Sequence, residues 1–164
     1  MSNEHKSSTL GRRTAVSEGV PFPGGYADYA DAFEIGRNRS DHRHAESWVR
    51  DAFGHLPLTS RRFGMLAHRH LLGFRLGPWS SPDHIFGWHI AESRPDVLHL
   101  EASGNIMDGR MIWRLKDDRL VMTTFVKYNR PRLAAGIWAL AGRIHRDAVP
   151  GLLANATNKA KLVR

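Results

Sequence analysis

The stretch HIFGWHIAESRPDVLHLEASGNIMDGRMIWRLKDDRLVMTTFVKY, residues 84–128, decides the fold. Its apolar residues recur at every second position, the period of a half-buried β-strand, and turn-forming residues punctuate it. Three turns set a register. Asp108-Gly109 reads as a two-residue turn of the primed type, because Asp and Gly both tolerate positive φ. That turn places Met107 opposite Arg110, Gly104 opposite Trp113 and Ala102 opposite Leu115. Asp117-Asp118 as a second such turn sets Leu115 opposite Leu120, Trp113 opposite Met122 and Met111 opposite Thr124. Arg94-Pro95-Asp96 as a three-residue turn sets Ile90 opposite Leu100 and Trp88 opposite Ala102.

Alternation then sorts the side chains. One face collects Trp88, Ile90, Leu98, Leu100, Ala102, Ile106, Met111, Trp113, Leu115, Leu120, Met122, Val126 and Tyr128. The other collects His89, His99, Glu101, Ser103, Arg110, Arg114, Lys116, Thr123 and Lys127, with Glu101 opposite both His89 and Lys116. This is an antiparallel sheet with one buried face and one solvated face of paired charges.

The buried face needs a cover. From Pro131, a favourable first-turn helix residue, the segment RLAAGIWALAGRIHRDAVPGLLANA places Leu133, Ile137, Leu140, Ala141, Ile144, Ala148 and Leu152 on one arc. Pro150 is predicted to kink or break this helix near its last turns. Upstream, Ala30–Gly36 reads as a first strand. A helix follows with Asp41 as its N-cap and Ala45, Trp48, Val49, Ala52 and Phe53 on its stripe. A second helix runs from Thr59 or Ser60 to about Leu72, with Phe63, Leu66, Ala67 and Leu71 on its apolar side and Gly73 as the stop. The fold class is α+β: a curved antiparallel sheet of about 5–7 strands wrapped on a long C-terminal helix, with two short helices after the first strand. Residues 28–156 form the domain, flanked by a flexible tail over 1–27 and a basic tail over 157–164.

The chain has 164 residues and a formal charge of +8, a size suited to one domain with one core. Residues 1–27 hold Lys6, Arg12 and Arg13 against Glu4 and Glu18, a net of +1, and Lys159, Lys161 and Arg164 give the last eight residues +3. Half of the charge therefore sits in the tails, the rest is interspersed with acids, and the stripe expected of a nucleic-acid binder is missing. With no Cys, thiolate catalysis, disulfides and Cys-ligated metal centres are excluded. The longest apolar run, Leu133 to Gly142, is half a membrane span, and the N-terminus carries no apolar signal-peptide core. A soluble, cytoplasmic protein is the expectation.

Ten His prompt a search for metal ligands. His42/His44 and His68/His70 are i, i+2 pairs that point to different sides of a helix, and His89 and His99 share only a solvated face. HExxH, GxSxG and phosphate-loop motifs are all missing, so no metal or other cofactor is expected. On the inner layer, Thr124, Tyr128 and His145 are the polar groups, beside the large adaptable surfaces of Trp88, Met111, Trp113 and Met122. An apolar cleft with a few convergent polar groups is the usual make-up of a small-molecule site. For general acid–base work only Glu92 at a strand end and His145 qualify by position, and neither has a visible partner.

An ordered set of residues also carries a resemblance. It comprises Trp48, Leu72-Gly73-Phe74-Arg75-Leu76, Ser81-Pro82, Gly87-Trp88, Ile90, Leu100-Glu101 and Thr124-Phe125-Val126. It continues with Tyr128, Arg130-Pro131, Trp138, His145-Arg146, Val149-Pro150, Leu152-Leu153 and Ala156. Across residues 28–156 this resembles the START-like helix-grip (SRPBCC, polyketide cyclase/dehydrase-like) superfamily, in a bacterial branch that has no agreed catalytic residues. The resemblance implies a sheet gripping the last helix around an apolar cavity that in relatives binds lipids, sterols or polyketides. The expected function is binding of a small hydrophobic molecule, lipid or polyketide-like, by Trp88, Met111, Trp113, Met122, Thr124, Tyr128, Trp138 and His145. One alternative is a cyclase/dehydrase-type enzyme acting through His145 and Tyr128. The other is a pocketless interaction protein that uses its basic tails.

Overall fold

A computed structural model of the chain describes residues 10–17, 19, 22–23 and 25–158. The expected basic tail beyond Asn158 lies outside the described residues. In chain order the elements are β1 (Arg12–Thr14), β2 (Tyr29–Gly36), α1 (Ala45–Gly54) and α2 (Leu58–Leu66), followed by a π-helical turn at Ala67–Leu71. Then come β3 (Ser80–Ser81), β4 (His84–Ile85), β5 (Trp88–Ser93), β6 (Val97–Ala102), β7 (Met107–Leu115), β8 (Arg119–Tyr128) and α3 (Pro131–Thr157). All eight strands belong to one open antiparallel sheet in the order β1-β2-β8-β7-β6-β5-β4-β3. The architecture is α+β, with the long last helix and two short ones against a single sheet, a helix-grip-like layout.

The β7–β8 hairpin has the expected register: Leu115 faces Leu120, Trp113 faces Met122 and Met111 faces Thr124. The β6–β7 hairpin does not. Asp108 and Gly109 lie inside β7, and Ala102 faces Gly109 instead of Leu115, with Leu98 facing Trp113. The glycine is there for close approach: a Cβ on Gly109 would stand 2.5 Å from the Trp88 ring and 3.0 Å from Phe74. Asp108 marks the real turn, accepting a hydrogen bond from the Gly104 N–H at 3.1 Å. In the β5–β6 hairpin Ile90 does face Leu100, but a bulge between Ile90 and Glu92 absorbs a residue, and Arg94 and Val97 pair around a two-residue Pro95-Asp96 loop. Glu101 therefore faces His89 and Arg110, not Lys116.

Two expectations about the surroundings of the sheet also change. The stretch read as a flexible tail contributes β1, whose Arg12 donates to buried Glu34 at 2.8 Å, while the Gly11 N–H donates to the Pro150 carbonyl at 3.1 Å. The outer face is not simply solvated, because Phe22 from the same stretch packs there with Val97, Ile112 and Phe125. Arg110 caps this patch, its guanidinium carbon 4.5 Å from the centre of the Phe22 ring.

The helices explain how the inner face is covered. In α1 the stripe Ala45, Trp48, Val49, Ala52 and Phe53 is buried as expected. Asp41 does not cap it. His44 holds the N-cap position without a side-chain bond, and Asp41 instead accepts from Arg43. The α3 helix runs on through Pro150 to Thr157. Its buried side is Ala134, Trp138, Ala141, Gly142, Val149 and Leu153, about one residue around from the expected arc, so that Leu133, Leu140 and Ile144 are exposed. Small residues on the sheet side let the helix axis approach, which is the steric reason for the rotation. In α2 no residue is fully buried, and Phe63 and Leu66 remain exposed.

Candidate functional site: an apolar cavity with two histidines

Because α2 and the π-helical turn stand off from the sheet, a cavity of about 350 Å³ remains between them, the inner face of β7 and β8, and α3. The sheet supplies Met111 and Met122, and α3 supplies Trp138, Ala141, Ile144, His145 and Val149. The facing wall is Phe53, Leu56, Phe63, Ala67, Leu71 and Phe86. Ser60, His68 and His145 add the polar groups, together with the indole of Trp138.

His68 sits in the π-helical turn, ringed by Phe86, Trp88 and Phe74 at centroid distances of 5.0, 5.9 and 6.0 Å. Its Nδ1 is 2.7 Å from the Gly64 carbonyl. A carbonyl only accepts, so Nδ1 carries the proton and Nε2 does not. Burial among the rings pulls the imidazole pKa down to about 4, with nearby His145 acting in the same direction and the Gly64 bond opposing. His68 is therefore neutral at pH 7, and its Nε2 keeps a lone pair that meets no hydrogen-bond partner among the described residues.

His145 has the partner that the sequence does not show. Its Nε2 lies 3.2 Å from Oδ1 of Asp31, whose side chain is fully shielded from solvent on β2. The Tyr29 hydroxyl donates to the other carboxylate oxygen at 2.6 Å and accepts from Arg146 at 3.2 Å. Burial alone would raise the Asp31 pKa, but the hydrogen bonds and charge of His145, with the Tyr29 bond, hold it below the usual carboxylate range. An ionised carboxylate only accepts, so the Nε2–H of His145 donates and the ring is fixed in orientation. The same burial and the same carboxylate push the Tyr29 hydroxyl up.

Of the residues expected at the site, Met111, Met122, Trp138 and His145 line the cavity. Trp88 does not, but it walls His68. Trp113 is fully buried and edge-on to Phe53 at 6.1 Å. Thr124 is buried in the ladder opposite Met111 and Asp31. Tyr128 lies outside the cavity wall at the end of β8, its hydroxyl pKa raised by burial and by Asp28. Glu92 is at the exposed edge of β5, paired to Arg94 at 2.8 Å. The structure thus brings His145 together with Asp31 and His68, and leaves Tyr128 and Glu92 elsewhere. Asp31 corrects the expectation that the inner layer holds no partner acid for His145.

Among the described residues no group of three or more His, Asp or Glu is placed to hold a metal ion, and no helix is long and apolar enough to cross a membrane. In comparisons with known proteins, the chain matches no family model, no curated protein and no solved structure.

Proposed function

We propose that this protein binds a small, predominantly hydrocarbon molecule in the cavity between sheet and α3, as the resemblance to START-like proteins implies, and that it does so in the cytoplasm. The observation that carries this reading is the cavity itself. Its size is at the lower end of small-molecule sites, and its walls are apolar with only a few polar groups. Two methionines on the sheet wall suit an irregular occupant. The cavity opens to solvent past Phe63, Ile144 and Ala148, so an apolar occupant entering it would cover hydrocarbon wall that otherwise faces water. The volume corresponds to about a dozen water-sized units. That fits one or two fused rings or a single short chain, and is too small for a two-tailed lipid.

Native mass spectrometry of the purified protein tests the reading, with titration of the neutral fluorophore N-phenyl-1-naphthylamine as the second arm. A small-molecule adduct lost on denaturation, or saturable fluorophore binding, is the expected result. A bare mass together with no fluorophore binding would overturn it.

A second reading is favoured by one observation, the buried Asp31 behind His145. A carboxylate that fixes an imidazole at the wall of a binding cavity is the arrangement that general acid–base chemistry uses. On that reading His145 moves a proton to or from the bound molecule and Asp31 positions it, while Tyr128, the other expected catalytic residue, lies outside the cavity wall.

A further inference from the structure

We infer that the occupant of the cavity carries a hydrogen-bond donor on its hydrocarbon skeleton, a hydroxyl above all, and that Nε2 of His68 is the acceptor that selects it. This inference rests on the cavity-binding reading and adds to it the chemical class of the ligand.

Three observations carry it. First, Nδ1 of His68 is committed to the Gly64 carbonyl at 2.7 Å, so the ring can offer a partner only through Nε2. Second, the ring lies among Phe74, Phe86 and Trp88, which contribute no charge to hold an imidazolium there, and the neutral ring presents Nε2 as a pure acceptor. Third, Asp31 stands behind His145 of the cavity wall, already accepts from His145 and Tyr29, and its negative charge disfavours a second anion beside it. Local backbone geometry serves this placement. Gly64 lies against Phe86, where a Cβ would stand 2.7 Å from the ring, so the turn that offers its carbonyl to His68 packs directly on the aromatic wall.

The chemistry follows from what each ligand class would leave unpaired. A hydroxyl donates to Nε2 and keeps its oxygen free to accept. An ether of the same shape sets an oxygen lone pair against a nitrogen lone pair. A carboxylate adds a desolvated charge that the neutral His68 cannot pair, and sites built to bond one polar group reject analogues lacking it.

The test is a matched series on the intact protein: naphthalene, 1-naphthol, 1-methoxynaphthalene and 1-naphthoate, with affinities by calorimetry or by displacement of N-phenyl-1-naphthylamine. The expected order is 1-naphthol tightest, by roughly three- to tenfold over naphthalene, with 1-methoxynaphthalene no better than naphthalene and 1-naphthoate weakest. In His68→Phe the naphthol preference is lost while naphthalene still binds. If no member of the series binds, the cavity reading itself fails. If naphthalene binds but 1-naphthol gains nothing over 1-methoxynaphthalene, or 1-naphthoate binds best, the cavity stands and the donor inference is overturned. Should His68→Phe not fold, the order in the unmodified protein decides alone. A naphthol preference that survives His68→Phe removes His68 as the selecting residue.

Discussion

His145 and Asp31 are 114 positions apart in the chain and meet at 3.2 Å, joining the last helix to the second strand beside the cavity. The carboxylate has no solvent exposure, so its charge is tolerated only because His145 and Tyr29 hydrogen-bond to it. Removing His145 leaves Asp31 a buried charge with one partner fewer. We expect His145→Ala to lose about 3 kcal/mol of stability in urea unfolding at pH 7. Adding Asp31→Asn should then recover at least about 1 kcal/mol, because the stranded charge is gone. If the double variant is less stable than His145→Ala, the pair is not the electrostatic unit described.

Acid should destabilise the protein before its carboxylates titrate. The folded-state pKa of His68 is about 4 against an ordinary 6.5, so as pH falls the unfolded chain takes up that proton first. Stability from this group is complete above about pH 6.5 and is lost progressively as pH falls toward 4. The loss between pH 7 and 5 is about 2 kcal/mol. Asp31, lowered from its ordinary value, adds a further loss only at more acid pH. In His68→Phe the unfolding midpoint should be flatter between pH 7 and 5, and an unchanged slope would contradict the burial of that ring.

Occupying part of the cavity should weaken binding without unfolding the protein. Ala148 lines the cavity from α3 while remaining exposed, so a larger side chain there has somewhere to go. Ala148→Phe should weaken N-phenyl-1-naphthylamine at least about tenfold while changing stability by less than about 1 kcal/mol. Unchanged affinity would mean that the probe binds elsewhere.

Gly109→Ala addresses why that glycine is present. At a strand position 2.5 Å from the Trp88 ring, the added methyl must displace Trp88 or Phe74, costing about 1–3 kcal/mol. The shift should appear in near-ultraviolet circular dichroism as an altered tryptophan signal. A variant of full stability with unaltered aromatic signal would contradict the close contact.

The β6–β7 hairpin shows how sequence reading succeeded and failed together. Asp-Gly satisfies a tight turn, but a glycine under two aromatic rings satisfies a packing need, and composition alone does not separate them. The true register differs by six residues, Gly109 standing where Leu115 was expected opposite Ala102. Six is even, so the residues expected on the inner face of β6 and β7 kept that face, while Met107, expected at the turn, joins them as a fully buried core residue. Asp31 was legible in principle, because it shares parity with Phe33 and Ile35 on β2, but its partner lies on another element far along the chain. His68 was hidden for a different reason. Its helix was read as an ordinary cover, whereas the π-helical turn at Ala67–Leu71 re-aims that segment in a way no periodicity announces. The rotation of α3 was illegible too, since its apolar arc is wide enough to be buried along more than one line.

The pairing of β2 with β8 and the docking of α3 on both have a consequence for synthesis on the ribosome. Tyr29–Gly36 cannot find its partner until Arg119–Val126 has been made, and the helix that lines the cavity is synthesised after every strand of the sheet. Until then the inner face is an open apolar surface with an unpaired edge, the state in which a nascent chain is most prone to associate wrongly. Non-local contacts of this kind also slow folding, because a long loop must close before any of them forms. The binding site is therefore a late product of the folding path, complete only when the two ends of the domain have come together.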